Sequence, residues 1–147
     1  MLKDVRILKV MADENRLRLL LLLRRRELFV CQLMAILGMS QPLVSRNLAL
    51  LEREGLLDSR RQGKHIFYSL KKDLLPLAAA VLVALEAQWE TGSSFASDRL
   101  GLELFYRRFQ RGHGSCDMGM VKAFMEFREK NKIQGAPNGK SKQKSVH

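Results

Sequence analysis

Cysteine is scarce in this chain: there are two, Cys31 and Cys116, separated by most of its length. Thiols placed so far apart do not make a disulfide framework. Long apolar runs are missing as well. Leu19–Leu23 is five residues and Leu74–Leu85 is twelve, both short of the roughly 18 needed to span a bilayer, so both read as buried helix. Lys3, Asp4, Arg6 and Lys9 interrupt the N-terminal stretch, and no secretory leader is expected there. Enzyme motifs are lacking too: there is no Gly-rich phosphate loop, no paired metal motif and no Ser/His/acid grouping. No internal repeat is found. The expectation is a cytoplasmic binding protein with no membrane partner, and not an enzyme.

Acidic residues are also in short supply. Lys and Arg number 26 against 15 Asp and Glu, a formal net charge of +11 over 147 residues. With 46% hydrophobic and 28% charged residues, most of the chain is expected to fold, as one domain plus an appendage. A positive surplus of this size points to a polyanionic partner. It is not confined to a tail, because residues 1–90 carry 15 basic and 10 acidic side chains and residues 91–147 carry 11 and 5.

The most informative stretch is SQPLVSRNLALLEREGLL, from Ser40 to Leu57. On a helix, Val44, Leu48 and Leu51 fall within an arc of roughly 60°. Gln41, Pro42, Ser45 and Arg46 lie elsewhere and are not core-forming types. A short helix with an apolar back and a hydrogen-bonding, cationic front suits a DNA major groove. Val30–Leu37 reads as a second short helix just before it. Gly38 permits a left-handed turn between them, and Ser40 is a cap for the next helix. After Gly55, Leu57–Arg60 and His65–Ser69 read as strands around an Arg61-Gln62-Gly63-Lys64 turn. Arg60, Arg61 and Lys64 have no acid between them, so the hairpin tip is expected to be cationic and to reach phosphates or a minor groove. The pattern is a winged helix-turn-helix, mainly α with a small β-hairpin.

The flanks read as helices. Leu2–Met11 is a short one. Asp13 caps a leucine-rich helix over Glu14–Arg26, whose terminal Arg24-Arg25-Arg26 complements the helix dipole. Glu27–Leu33 leads into the Val30–Leu37 helix. Asp73 is expected to cap a helix over Leu74–Glu90, with Pro76 in its first turn. That helix is apolar on most sides and must be buried on most sides. A small domain does not cover it alone, so a homodimer with flanking dimerisation helices is predicted. Helices are also read over Asp98–Gln110 and Met120–Lys130. The expected organisation is a DNA-binding and dimerisation domain over residues 1–90, a helical extension over 91–132 and a disordered basic tail over 133–147.

From Ala12 to Leu70 the sequence resembles the ArsR/SmtB-type transcriptional repressors. The likeness is carried by ADENRLRLLLLL, ELFVCQL, LGMSQPLVSRNLALLEREGLL and RRQGKHIFYSL, in the family's order and spacing. The resemblance implies a homodimeric repressor on an imperfect palindromic operator in double-stranded DNA, released by an inducer that is often a metal ion. It places the recognition positions on Ser40, Gln41, Leu43, Ser45, Arg46 and Asn47. For Ser40, capping and phosphate contact compete for one hydroxyl.

The sensing site matches less well. Arsenite-type members carry ELCVCDL where this chain has Glu27-Leu28-Phe29-Val30-Cys31-Gln32-Leu33, so Phe29 stands in place of a second thiol. Soft metals need two or three thiolates held together. Zinc-sensing members use His and carboxylates on the long C-terminal helix, whereas Leu74–Glu90 has Glu86 and Glu90 but no His. Cys31 with His113, Cys116 and Asp117 is a candidate thiolate/imidazole site for a thiophilic metal inducer, or a redox pair. The alternative is that Cys31 is a small core residue and Cys116 incidental. His65 reads as a strand or phosphate-side residue. The competing function is a winged-helix module that docks protein partners through its C-terminal helices.

Overall fold

A computed structural model describes residues 2–89, 95–108 and 118–130. In chain order the elements are α1 (Leu2–Met11), α2 (Glu14–Arg25), β1 (Leu28–Phe29), α3 (Val30–Leu37), α4 (Gln41–Arg53), β2 (Leu57–Gln62) and β3 (His65–Leu70). They are followed by α5 (Pro76–Trp89), α6 (Ala96–Arg108) and α7 (Met118–Lys130). Among the described residues this is a winged helix-turn-helix with α-helices on both flanks.

The leucine run of α2 is its centre, since Leu19 through Leu23 are all buried. A helix buried all round must be enclosed by other elements, and α2 packs against α1, α4, α5, α6 and β3. It begins where Asp13 Oδ1 accepts the Arg16 N–H at 3.0 Å, the N-cap expected from sequence. In α4 the apolar arc of Val44, Leu48 and Leu51 is fully buried. Gly38 takes φ 67 between α3 and α4, where an L side chain is strained. Ser40 Oγ then accepts the Leu43 N–H at 3.4 Å at the start of α4.

Three details differ from expectation. The hairpin turn consumes only Gly63 and Lys64, so β2 extends through Gln62 and pairs with β3 from Leu57↔Leu70 to Gln62↔His65. The segment leading into α3 contains β1, which pairs antiparallel with β3 (Leu28↔Tyr68, Phe29↔Phe67) and gives the sheet order β1-β3-β2. Two residues are too few to show a period-2 pattern, so only the pairing defines this strand. Asp73 does not cap α5. That helix starts at Pro76, where a missing N–H costs nothing, and the Leu75 carbonyl accepts the Ala79 N–H at 3.0 Å.

The α5 helix is less covered by its own chain than its composition suggests. Ala78 and Leu82 are buried, but Leu77 and Val83 are exposed, as are Leu2, Val5 and Leu8 on α1. The expected boundary at Thr91–Ser94, the loop at Gly112–Gly119 up to Asp117, and the tail from Ile133 lie outside the described residues.

The extension is docked on the helix-turn-helix. Both α6 and α7 pack on α3, and α6 also reaches α2. Phe105 and Phe124 meet edge-on at 5.3 Å, and Gly101 lets α6 approach so closely that an added Cβ would stand 3.3 Å from the Ile36 carbonyl oxygen. Buried with them is an ion pair. Arg18 Nε and Nη2 each donate to the Asp98 carboxylate at 2.8 Å, and Nη2 also donates to the Leu37 carbonyl at 2.9 Å. Arg128 Nη1 donates to the Ile36 carbonyl and to that of Ala35 at 3.4 Å. The last four carbonyls of a helix have no partner within it. In α3 the Met34 oxygen takes the Gly38 N–H, and two arginines from other helices supply the other three. Burial holds the Asp98 carboxyl above its ordinary range, opposed by the Arg18 hydrogen bonds.

Removing one partner of a buried pair leaves the other charge uncompensated, at about 3–5 kcal/mol. Asp98→Ala is therefore expected to lower the urea-unfolding free energy by that amount. The double variant Arg18→Met/Asp98→Leu removes the stranded charge but also the donor to the Leu37 carbonyl, so it should recover part of the loss. Equal losses in the two variants would show that the stranded Arg18 charge is not what destabilises Asp98→Ala.

Candidate nucleic-acid interface

The α4 helix presents two faces of different chemistry. Its back is the buried Val44–Leu48–Leu51 arc, and its front exposes Gln41, Pro42, Ser45 and Arg46. Arg46 Nε donates to the Pro42 carbonyl one turn earlier at 3.3 Å, which leans the side chain toward the N-terminal end of the helix while the residue stays exposed. Ser40 is exposed and serves as the cap. Leu43 is half-buried and packs on the core.

Asn47 departs from expectation. It is buried at 9% exposure, its Nδ2 donates to the Leu43 carbonyl at 2.9 Å and its Oδ1 accepts from Arg16 Nε at 3.3 Å. Arg16 in turn donates to the Val10 carbonyl at 3.0 Å. Asn47 therefore fastens α4 to the N-terminal helices and does not present its amide to a base. The family resemblance places Asn47 among the recognition positions, and its partner 31 positions away ties it to the fold instead.

The three wing cations differ in their surroundings. Arg61 and Lys64 are exposed at the tip. Arg60 faces the other side of the strand, and its Nε donates to both Glu27 oxygens at 2.8 and 3.0 Å. Arg60 Nη1 also donates to Gln62 Oε1 at 2.6 Å, and the guanidinium lies 4.7 Å from the centroid of the Phe67 ring. The Arg60 hydrogen bonds hold the Glu27 carboxyl below the usual carboxylate range. Arg60, Arg61 and Lys64 are all exposed at the wing, and Arg60 alone of the three is ion-paired, to Glu27.

The arginine triplet is also engaged within the chain. Arg24 and Arg25 pair with Glu86 of α5, the latter at 3.0 Å, and Arg26 lies 3.8 Å from the centroid of the Tyr106 ring. Sequence reasoning assigned these residues to the helix dipole and solvent. In the sequence Glu86 is only a carboxylate on a helix that lacks the His of a zinc-sensing site.

His65 stacks on Phe29, with ring centroids 4.3 Å apart. Cys31 is half-buried at the start of α3, and Phe29 is itself buried. His113, Cys116 and Asp117 lie outside the described residues. Among the described residues, no three His, Cys, Asp or Glu side chains are grouped to hold a metal ion. No helix among them is long and apolar enough to cross a membrane.

Residues 13–59, which contain α2, α3 and α4, match the family model described as bacterial regulatory protein, arsR family. The arsenical resistance operon repressor of Escherichia coli (strain K12) is 44% identical over 82 residues, covering 55% of this chain and 70% of the repressor. The chain belongs to the arsR family. The arsenic resistance transcriptional regulator ArsR2 of Pseudomonas putida is 42% identical over 87 residues, covering 56% of this chain and 76% of that protein. Among solved structures, HlyU from Vibrio cholerae N16961 aligns with a TM-score of 0.54 at 35% identity, covering 60% of this chain and 94% of HlyU. The repressor BigR from Xylella fastidiosa aligns with a TM-score of 0.52 at 28% identity, covering 60% of this chain and 87% of BigR. This arsR-family member is a DNA-binding transcriptional regulator and not an enzyme.

The Glu27–Arg60 pair makes a measurable prediction. Glu27→Gln removes the charge that holds Arg60, so binding to any duplex is expected to tighten. The plot of log affinity against log salt should steepen by about 0.9, the release of one phosphate's counterions. Unchanged affinity and slope would show that Arg60 reaches no phosphate when released.

Proposed function

We propose that two copies of this chain bind an imperfect palindromic operator and repress transcription until an inducer releases them. The observation that carries this reading is the exposed Gln41–Ser45–Arg46 front on a helix whose other sides are buried. Arg46 is suited to a bidentate contact with guanine O6 and N7, and Gln41 to adenine N6 and N7. The Ser40 oxygen is used by the cap, but its O–H remains a donor for a phosphate beside the α4 N-terminus. Arg61 and Lys64 would meet phosphates from the wing. Asn47 is proposed to position the recognition helix, with Leu43 packing beneath it.

Dimerisation is supported by the uncovered apolar residues of α1 and α5, which pack together and leave Leu2, Val5, Leu8, Leu77 and Val83 exposed. A two-fold pair that covers this face would place two α4 helices in major grooves about one helical turn, ~34 Å, apart. The direction of control follows the relatives that are named repressors, including that of E. coli and the SmtB homolog of Synechocystis. The Vibrio cholerae relative HlyU is named a transcriptional activator.

Arsenic and cadmium resistance in the relatives' names puts thiophilic metal ions first among inducers to try. The ELFVCQL run alone does not fit such an ion, because the buried Phe29 ring occupies the place of a second thiol. A thiophile would have to draw on Cys116, His113 and Asp117 together with Cys31. Release from the operator by arsenite or cadmium that is lost in Cys31→Ser and in Cys116→Ser would support that site, and release unaltered in both would refute it.

Arg46→Ala is expected to weaken operator binding by about 1–3 kcal/mol and to relax discrimination at the guanine it reads, measured by fluorescence anisotropy on operator variants. Val83→Glu should shift the chain toward monomers in sedimentation and weaken operator binding with it. An Arg46→Ala protein that keeps full operator affinity and specificity would overturn the assignment of the α4 front. It would favour instead a module whose C-terminal helices dock proteins.

A further inference from the structure

We propose that Glu52 is a positioning residue that sets the angle of the wing against the recognition helix, on the reading that Arg61 and Lys64 meet phosphates beside the α4 front. Apolar packing of β2 reaches only the base of the wing. Leu57 is buried, and the five residues after it, from Asp58 to Gln62, are exposed. The outer part of this strand is held by its ladder to β3 and by side-chain bonds on its two faces.

Successive side chains of a strand point to opposite faces. Arg60, His65 and Phe67 share one face, where Arg60 pairs with Glu27 and His65 stacks on Phe29. Ser59 and Arg61 lie on the other, opposite Tyr68 and Ile66. There Ser59 Oγ donates to Glu52 Oε1 at 2.6 Å. A hydroxyl on a carboxylate at this length is a charge-assisted bond, and it joins the last turn of α4 to the strand two residues before Arg61. Burial and then the Glu52 charge hold the Tyr68 phenol above its ordinary range. Ile66, the next residue outward on β3 on this face, is 44% exposed. Among the described residues, the Ser59–Glu52 bond is therefore the outermost hydrogen bond that ties this face of the wing to α4.

Local forces give Glu52 no other reason to favour DNA binding. A carboxylate in the last turn of a helix opposes the helix dipole, and one on a DNA-reading helix repels phosphates. On those grounds alone its removal would stabilise α4 and tighten attachment to a duplex. The bond to Ser59 acts in the opposite sense. Arg46 and Arg61 stand on different elements, α4 and β2, and both reach one duplex only when the angle between those elements fits it. Without Glu52 both arginines remain exposed, but the spacing between them is no longer fixed from the α4 side.

The probe is a fluorescein-labelled duplex that the full-length wild type selects from random-sequence DNA, with binding read by anisotropy. Glu52→Ala and Ser59→Ala are each expected to weaken binding about tenfold and to lower the slope of log affinity against log salt by about 0.9 to 1.8, the counterions of one or two phosphates. Glu52→Gln removes the charge but keeps an acceptor oxygen for Ser59, and it should bind at least as tightly as the wild type. In double-mutant cycles Arg61→Ala should cost several-fold less in the Glu52→Ala background than in the wild type, whereas Arg46→Ala should cost the same in both. Thermal melting checks the fold of each variant, and Ser59→Ala carries the test if Glu52→Ala does not fold. Unchanged or tighter binding by Glu52→Ala or Ser59→Ala would overturn the proposal. So would a Glu52→Gln loss as large as that of alanine, or additive losses with Arg61→Ala. Full affinity in Arg61→Ala/Lys64→Ala would overturn the wing reading and the proposal with it. A loss in that variant with none in Glu52→Ala would overturn the proposal alone.

Discussion

The positioning of the DNA-reading helix depends on how the C-terminal end of α3 is closed. A helix end inside a protein must find donors for its last carbonyls, or the unpaired oxygens destabilise the packing around them. Here Gly38 serves one carbonyl through the backbone, and guanidinium groups from α2 and α7 serve the other three. Asp98 of α6 neutralises one of those arginines from within the core. The turn that follows, and with it the start of α4, is therefore held from three directions. Two of the three come from the extension, which makes the extension part of the scaffold of the DNA-reading unit.

Charge elsewhere is organised in the same way. Much of the positive surplus near the winged domain is bound by a few acids: Glu86 holds Arg24 and Arg25, Glu27 holds Arg60 and Glu54 holds Arg6. Arg26 lies on an aromatic ring. Among the described residues, Arg46 on the helix and Arg61 and Lys64 on the wing tip are exposed with no acidic partner, while Arg60 is exposed but paired. A net charge of +11 therefore overstates the charge offered to a duplex by the front of the molecule. The acid-poor composition pointed to the right partner class, while the pairing decides which side chains address it.

The parts legible in the sequence were those with local causes. The Val44–Leu48–Leu51 arc, the Asp13 and Ser40 caps, the left-handed Gly38 and the Gly63 turn all follow from residues within one or two turns of each other. What escaped was set by distant partners. Asn47 counts as a recognition position only through the family resemblance, and Arg16, 31 positions earlier, is found on its oxygen. Arg60 reads as a wing cation until Glu27, 33 positions earlier, is found beneath it. β1 exists only because β3 lies beside it. Arg18 was one charge in a leucine-rich helix, and its buried partner sits 80 positions away. Periodicity carries no information about any of these.

The bond between Glu27 and Arg60 has a consequence beyond the wing. Contacts to phosphate strengthen attachment to every stretch of a chromosome alike, whereas contacts to base edges strengthen attachment to one site. A genome offers millions of competing stretches, so occupancy of the operator follows the ratio of the two affinities more than either alone. If Arg60 reaches a phosphate once released, a glutamate that holds it against the chain's own surface would lower the hold on bulk chromosome and leave the base contacts untouched. A single glutamate would thereby limit how many molecules a cell loses to the wrong addresses.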